Sequence, residues 1–258
     1  MSKYLLSCRP GSYRQYAMHA YEHLPEIGVK YMEIKTPSNQ EDVNFTKEML
    51  EELNLQALSL NYPINIDDKN NIQKFEDIIP LIKQIGPTYL FSSVKVKKEK
   101  KRAKGYRILQ EIGDIAKEND LFISVETHPP YNTNGDRGKE TMENVDHPNI
   151  KINFDTANIY YYNKDVDGKE ELKKVLPWLY SIHIKDCRKK TKDWYFPAIG
   201  DGEVDFPGII AILDGLDKTI PLTLEIEGIK GEKLSLEDVK KRVEKSVNYL
   251  KSICKNIE

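Results

Sequence analysis

FISVETHPP, residues 122–130, begins as a buried strand and then places Glu126 and His128 where burial should end. Phe122, Ile123 and Val125 are strand-forming apolar residues. Side chains alternate along a strand, so Ser124, Glu126 and His128 share one face. A carboxylate and an imidazole at the tip of a core strand invite a search for whatever else the chain brings to that point.

Short apolar runs recur on both sides of it: YLLS (4–7), KYMEI (30–34), LQALSL (55–60), YLFSSV (89–94), LFISVE (121–126), KINFD (151–155), LYSIHIK (179–185) and LTLEIE (222–227). Segments of helical period lie between them. Ala103, Tyr106, Leu109, Ile112 and Ala116 fall three or four apart within 99–118, and Leu236, Val239, Val243, Val247, Leu250 and Ile253 do so within 235–253. The second stripe opens on Ser235-Leu-Glu-Asp238, which resembles a capping box, and Tyr16, Ala20, Leu24 and Ile27 form a third. Eight strands alternating with helices over 258 residues give about 32 residues per unit, the length an α/β (β/α)8 barrel requires. An open doubly wound sheet usually has fewer strands, and CRPGSYRQ lacks its glycine-rich phosphate turn. No Gly/Ser/Pro-rich linker divides the chain, so residues 1–258 read as a single domain. The unpatterned stretch from about 187 to 204 is the candidate active-site loop.

Composition excludes several classes. A 39% apolar and 31% charged chain is an ordinary globular one, and a net charge of −2 leaves no electrostatic footprint for nucleic acid or an anionic membrane. Cys8, Cys187 and Cys254 are far apart and odd in number, which points to a reducing cytoplasm. The apolar run at the N-terminus is too short for a signal peptide, and no run approaches the ~18 residues of a membrane span.

Spacing then answers the opening stretch. Glu126 ends the fifth strand, Asp155 ends the sixth 29 residues on, and His183 lies near the end of the seventh after a further 28. Residues one unit apart take equivalent places on neighbouring strands, so these three should meet at the C-terminal mouth. Strand eight supplies Glu225 and Glu227; the step of 42 from His183 is absorbed by the long loop. Parity cannot choose between these two acids. Glu225, at the depth of Glu126, is the preferred partner and Glu227 the alternative. Taken alone, a strand-end acid such as Asp155 is as readily a helix cap as a ligand. Three carboxylates and an imidazole repel and resist burial unless something neutralises them. One divalent ion resolves the conflict, and one His with carboxylate oxygens suits Mn²⁺, Mg²⁺, Co²⁺ or Zn²⁺. His128 and Lys185, beside these residues with matching parity, are suited to donate hydrogen bonds to substrate oxygens, the alternatives being a satisfied polar rim residue and a solvated lysine. Asp186 points the other way, toward supporting work.

The chain resembles the xylose isomerase-like TIM barrels, which include sugar isomerases, ketose 3-epimerases, inosose dehydratases and endonuclease IV. AYEHLPEIGVKYMEI is similar to that family's first helix and second strand, FISVETHPP to its fifth strand, INFDTANIY to its sixth-strand motif and SIHIKD to its seventh. IGDGEVDFPGI resembles its loop before the next helix, and LTLEIEG its terminal metal-glutamate strand. The resemblance implies that Glu126, Asp155, His183 and Glu225 are metal ligands, with Glu126 and Glu225 also the catalytic acid/base pair. It implies an isomerase or epimerase acting on a small sugar, sugar phosphate or polyol ketone through an enediolate. An inosose-type dehydratase on the same barrel is the alternative, and an endonuclease IV-like DNA-repair enzyme ranks third, opposed by the near-neutral charge and the missing histidines. Asn158 stands where many members have His; it and Glu227 join His128 and Lys185 as candidate substrate contacts. Only five histidines are present, at 19, 23, 128, 147 and 183, too few in the right places for endonuclease IV's three-metal site. Surface roles fit His19, His23 and His147. The basic run KVKKEKKRAK (95–104) reads as a solvated helix start, with a phosphate-binding rim of Lys95, Lys97 or Lys98 as the sharper alternative. Tyr160, Tyr161 and Tyr162 are candidates for lining a sugar pocket or for a contact between copies in a homo-oligomer.

Overall fold

The computed structural model describes residues 2–258, with backbone only at Lys100. Eight parallel strands close into a barrel: β1 (Tyr4–Cys8), β2 (Tyr31–Lys35), β3 (Gln56–Asn61), β4 (Tyr89–Ser92), β5 (Ile123–Glu126), β6 (Ile150–Asp155), β7 (Leu179–Ile184) and β8 (Ile220–Leu224). Each pairs with its neighbour in sequence, and β1 closes on β8 with Tyr4 opposite Ile220 and Cys8 opposite Leu224. The helices are α1 (His19–Glu26), α2 (Gln40–Glu52), α3 (Asn71–Ile85), α4 (Arg102–Glu118), α5 (Gly135–Val145), α6 (Asn158–Tyr162), α7 (Gly168–Val175), α8 (Phe206–Asp214) and α9 (Leu236–Ile253). Among the described residues, no helix is long and apolar enough to cross a membrane.

Local chemistry sets these boundaries. Ser235 caps α9 as its sequence suggests: its hydroxyl accepts the Asp238 N–H at 3.2 Å and donates to the Asp238 carboxylate at 2.6 Å. Val239, Val243, Val247 and Leu250 then turn inward. On α4 the buried stripe is Tyr106, Ile108, Leu109, Ile112 and Ala116; Ala103 is exposed, and residues 99–101 form a 3₁₀ turn.

Two strands differ from the sequence reading. YLFSSV breaks after Ser92, and Val94–Lys95 leaves the barrel to pair with Ile64–Asn65. LTLEIE was expected to run to Glu227, but β8 stops at Leu224. Glu225 N–H still reaches the Ile184 carbonyl at 3.1 Å, and the Ser12 hydroxyl then takes the Ile226 N–H at 3.0 Å. That competing acceptor ends the ladder and turns the chain across the mouth. The loop after β7 follows it: Tyr195–Phe196 pairs antiparallel with Gly228–Ile229.

Candidate active site

Register brings the predicted residues together. Asp155 lies directly opposite His183 on adjacent strands, and Glu126 opposite Asn153. Glu225 follows the Leu224–Ile184 pair. Ligand atoms of Glu126, Asp155, His183 and Glu225 all fall within 4.8 Å of one another, and no residue of the four is more than 7% exposed. Glu227 is not part of this cluster; its half-buried carboxylate is ion-paired with Lys185.

Asp155 reconciles its two sequence readings. Its Oδ1 accepts the Ala157 and Asn158 N–H groups at 2.8 Å, capping the turn into α6. Its Oδ2 is buried with no hydrogen-bond partner, an oxygen left over for a cation. His183 is held from both sides, with Nδ1 2.8 Å from Glu225 and Nε2 3.2 Å from Glu33, while Phe91 stacks on the ring at 4.2 Å. Glu33 accepts from Ser59 at 2.8 Å and pairs with Arg9 at 3.2 Å, and Arg9 also pairs with Glu225. Glu126 accepts from Ser93 and, at 3.2 Å, from Asn158. Lys185 donates to Asn158 at 3.2 Å, with Asp155 and Glu225 at 3.8 and 4.0 Å, and lies over the Phe196 ring.

The electrostatics are uneven. Burial pushes the Asp155 carboxyl up to about 7, against the pull of Lys185. Burial also raises Glu126, and the neighbouring Glu225 charge adds to it. Burial works the same way on Glu225, yet Arg9, Lys185 and His183 hold that carboxyl well below the usual range. Burial would lower the His183 imidazole, but Glu33 and Glu225 raise it to about 10. Glu33, Glu126, Asp155, Glu225 and Glu227 converge here against Arg9, Lys185 and, with no ion bound, a protonated His183. That excess of carboxylate, together with the orphaned Asp155 oxygen, fits a divalent cation held by Glu126, Asp155, His183 and Glu225. Glu33, on the far side of the imidazole, would fix its orientation.

Above the cluster lies a cavity of about 240 Å³ whose walls include His128, Asn158, Lys185, Tyr161, Trp194 and Phe196. Several expectations change here. His128 Nδ1 lies 2.7 Å from the Pro129 carbonyl, which can only accept, so Nδ1 carries the proton. Burial lowers this imidazole, so the neutral ring offers Nε2 as an acceptor where sequence had suggested a donor. Asn158 bridges Glu126 and Lys185 as well as lining the cavity. Tyr161 and Tyr162 line it, but Tyr160 is buried behind them with its hydroxyl accepting the Gly168 N–H at 3.1 Å. Lys95 is the member of the basic run at the cavity wall. Lys97 is exposed and donates its backbone N–H to Asp67, and Lys98 is exposed beside it. His23 is buried and bonded to the Tyr13 hydroxyl at 2.7 Å, so a surface role fails there; His147 is half-buried, with Nδ1 accepting the Asn149 N–H at 3.1 Å and Nε2 3.2 Å from the exposed Asp114 carboxylate. Asp186 accepts backbone N–H groups of Cys187, Gly200, Gly202 and Val204 at 2.8–3.2 Å, fixing the loop after β7. A Cβ at Gly202 would lie 2.2 Å from that carboxylate, so the close approach requires glycine.

Arg9, Glu33, Phe91 and Ser93 were not singled out from sequence. Glu33 had a readable signal, a lone acid inside an apolar strand; Arg9 became meaningful only once β1 closed on β8.

Residues 22–253 match the family model of the xylose isomerase-like TIM barrel. The chain belongs to this family. Among its curated relatives is an L-ribulose 3-epimerase of Methylomonas sp. (strain DH-1), 25% identical over 223 residues, covering 77% of this chain and 74% of the relative. A 3-dehydroshikimate dehydratase of Bacillus anthracis is 25% identical over 158 residues, covering 58% of this chain and 55% of the dehydratase's own length. Among solved xylose isomerase-like barrels, the IOLI protein with a bound zinc atom superposes with a TM-score of 0.75 at 18% identity, covering 98% of this chain and 99% of that one. At that identity the likeness concerns the fold.

Proposed function

We propose that this xylose isomerase-like barrel is a divalent-metal-dependent isomerase or epimerase of a small sugar or polyol ketone. The observation that carries the reading is the placement of Glu126 at the end of β5 and Glu225 just past β8, two non-adjacent strands, both in the buried cluster and both on the wall of one small cavity. A cation bound by the four residues would polarise the substrate carbonyl and stabilise the charge that gathers on its oxygen. One glutamate takes the proton from the carbon beside the carbonyl, and the other returns it to the opposite face or the neighbouring carbon. Lys185 donates to substrate hydroxyls, His128 Nε2 accepts from one, and Trp194 and Phe196 cover the apolar face and exclude water. Recognition of a phosphate would rest on Lys95, so an unphosphorylated substrate is the better fit. The match to a dehydratase favours a second reading, in which the same proton abstraction is followed by loss of hydroxide.

Metal-loaded protein incubated in D₂O with a panel of ketoses and inososes tests both. Deuterium at one carbon of a product isomeric with the substrate is the expected result. Loss of water would assign the dehydratase, and no exchange across the panel would overturn the proposal.

A further inference from the structure

Beside the small catalytic cavity is a larger one of about 770 Å³, lined by the loops after β2 and β3 and the start of α3. The two are neighbours: Asn61 lines both. The strand Ile64–Asn65, on the wall of the larger cavity, pairs directly with Val94–Lys95, whose Lys95 lines the smaller. Ligand pockets usually occupy about 300–1,000 Å³, so the catalytic cavity has room for the reacting sugar and little else, whereas its neighbour could take a second group of similar or larger size.

The lining of the larger cavity is specific about chemistry. Asn71 is 7% exposed, and its Nδ2 donates to the carbonyls of Asp68 at 2.9 Å and Asn65 at 3.3 Å. Those bonds fix the amide so that it offers an acceptor, Oδ1, which is buried and has no partner. The Asp68 carboxylate also lines the wall, with one oxygen on the Asn70 N–H and the other on Lys74. Lys35 and Lys74 balance that carboxylate at the wall, so the unmet demand is the buried acceptor of Asn71, which calls for a donor such as a hydroxyl. The Tyr62 ring, seated against Phe75 at 5.2 Å, and the apolar Pro63 and Ile64 supply a surface for the C–H face of a ring.

We infer that this second cavity is a subsite for a further hydroxylated ring carried by the substrate, one that is bound but does not react. The inference rests on the proposed reading of the neighbouring cavity as the reaction site. It makes the preferred substrate a glycosyl-substituted ketose.

Calorimetry of the metal-loaded protein with fructose and with the glucosyl-fructoses leucrose and palatinose tests this without requiring turnover. At least one disaccharide should bind about tenfold or more tightly than fructose. Asn71→Ala should remove that gain while leaving fructose binding unchanged. Ser38→Trp, on an exposed loop at the cavity wall and outside the catalytic residues, fills the space without disturbing the Asn71 hydrogen bonds and should do the same. Equal binding of fructose and both disaccharides would overturn the inference, as would a gain that survives Ser38→Trp. Deuterium exchange into a free ketose with no disaccharide gain would sink the subsite alone. A disaccharide gain without exchange would sink the assigned reaction alone.

Discussion

Strands β5 to β8, with the residue after β8, carry the buried cluster of Glu126, Asp155, His183 and Glu225; β1, β2, β4 and the turns beyond them carry Arg9, Glu33, Phe91 and Ser93, each of which holds a cluster member. The first group is built of like charges that burial and mutual repulsion oppose. The second supplies countercharge and orientation, and supplies them unevenly. Glu225 faces Arg9, Lys185 and His183, while Glu126 has Ser93 and Asn158. Chemical identity therefore does not make the two glutamates equivalent; their neighbours across the barrel distinguish them.

The largest expected effects lie in the acidic half. Glu126→Gln and Glu225→Gln should each lower kcat by roughly 10²–10⁴-fold while retaining most of the metal, because an amide oxygen can still touch the ion but cannot shuttle a proton. Asp155→Asn and His183→Ala should lose metal and turnover together. Elemental analysis beside a deuterium-exchange rate separates the two outcomes, and near-full turnover by either glutamine variant would end the proton-transfer reading. Next comes the supporting half. Glu33→Gln should weaken metal affinity about 10–100-fold, read by titration calorimetry, with kcat at saturating metal much less affected. Were kcat to collapse at full occupancy, Glu33 would belong with the reacting residues. Glu227→Gln should be milder again than Glu225→Gln and appear mainly in KM, since it removes only the carboxylate that positions Lys185.

The smallest effect sharpens the comparison with a second buried imidazole. His183, between two carboxylates, is raised; His23, facing Tyr13 and remote from the site, is lowered from 6.5 by burial and by Lys240, with Glu26, Glu237 and Glu244 opposing. Below about pH 6.5 the unfolded chain binds a proton that folded His23 resists, so the His23 contribution to stability is complete above that pH and declines below it. Denaturant unfolding from pH 7.5 to 5.5 should show this fall, and His23→Gln should remove that component.

The cluster was legible because its members recur one unit apart, and the repeat of units is also what made the barrel legible. The supporting half has no such period. Arg9 sits just past a five-residue strand, and its partners Glu33, on β2, and Glu225, just past β8, come from either side of it. The end of β8 was misplaced because the residue that stops it, Ser12, lies 214 positions away in sequence. Tyr160 differs from Tyr161 and Tyr162 only through the rotation of a one-turn helix, which composition does not encode.

Asp186 anchors the loop after β7 at both ends, through Cys187 on one side and Gly200, Gly202 and Val204 on the other. The intervening segment, with Trp194 and Phe196 facing the cavity, is thereby a span clamped at both ends, and its pairing with Gly228–Ile229 clamps it again in the middle. The shape of the cavity can therefore change at Trp194 or Phe196 without touching a residue of the buried cluster, provided Asp186 and Gly202 are kept.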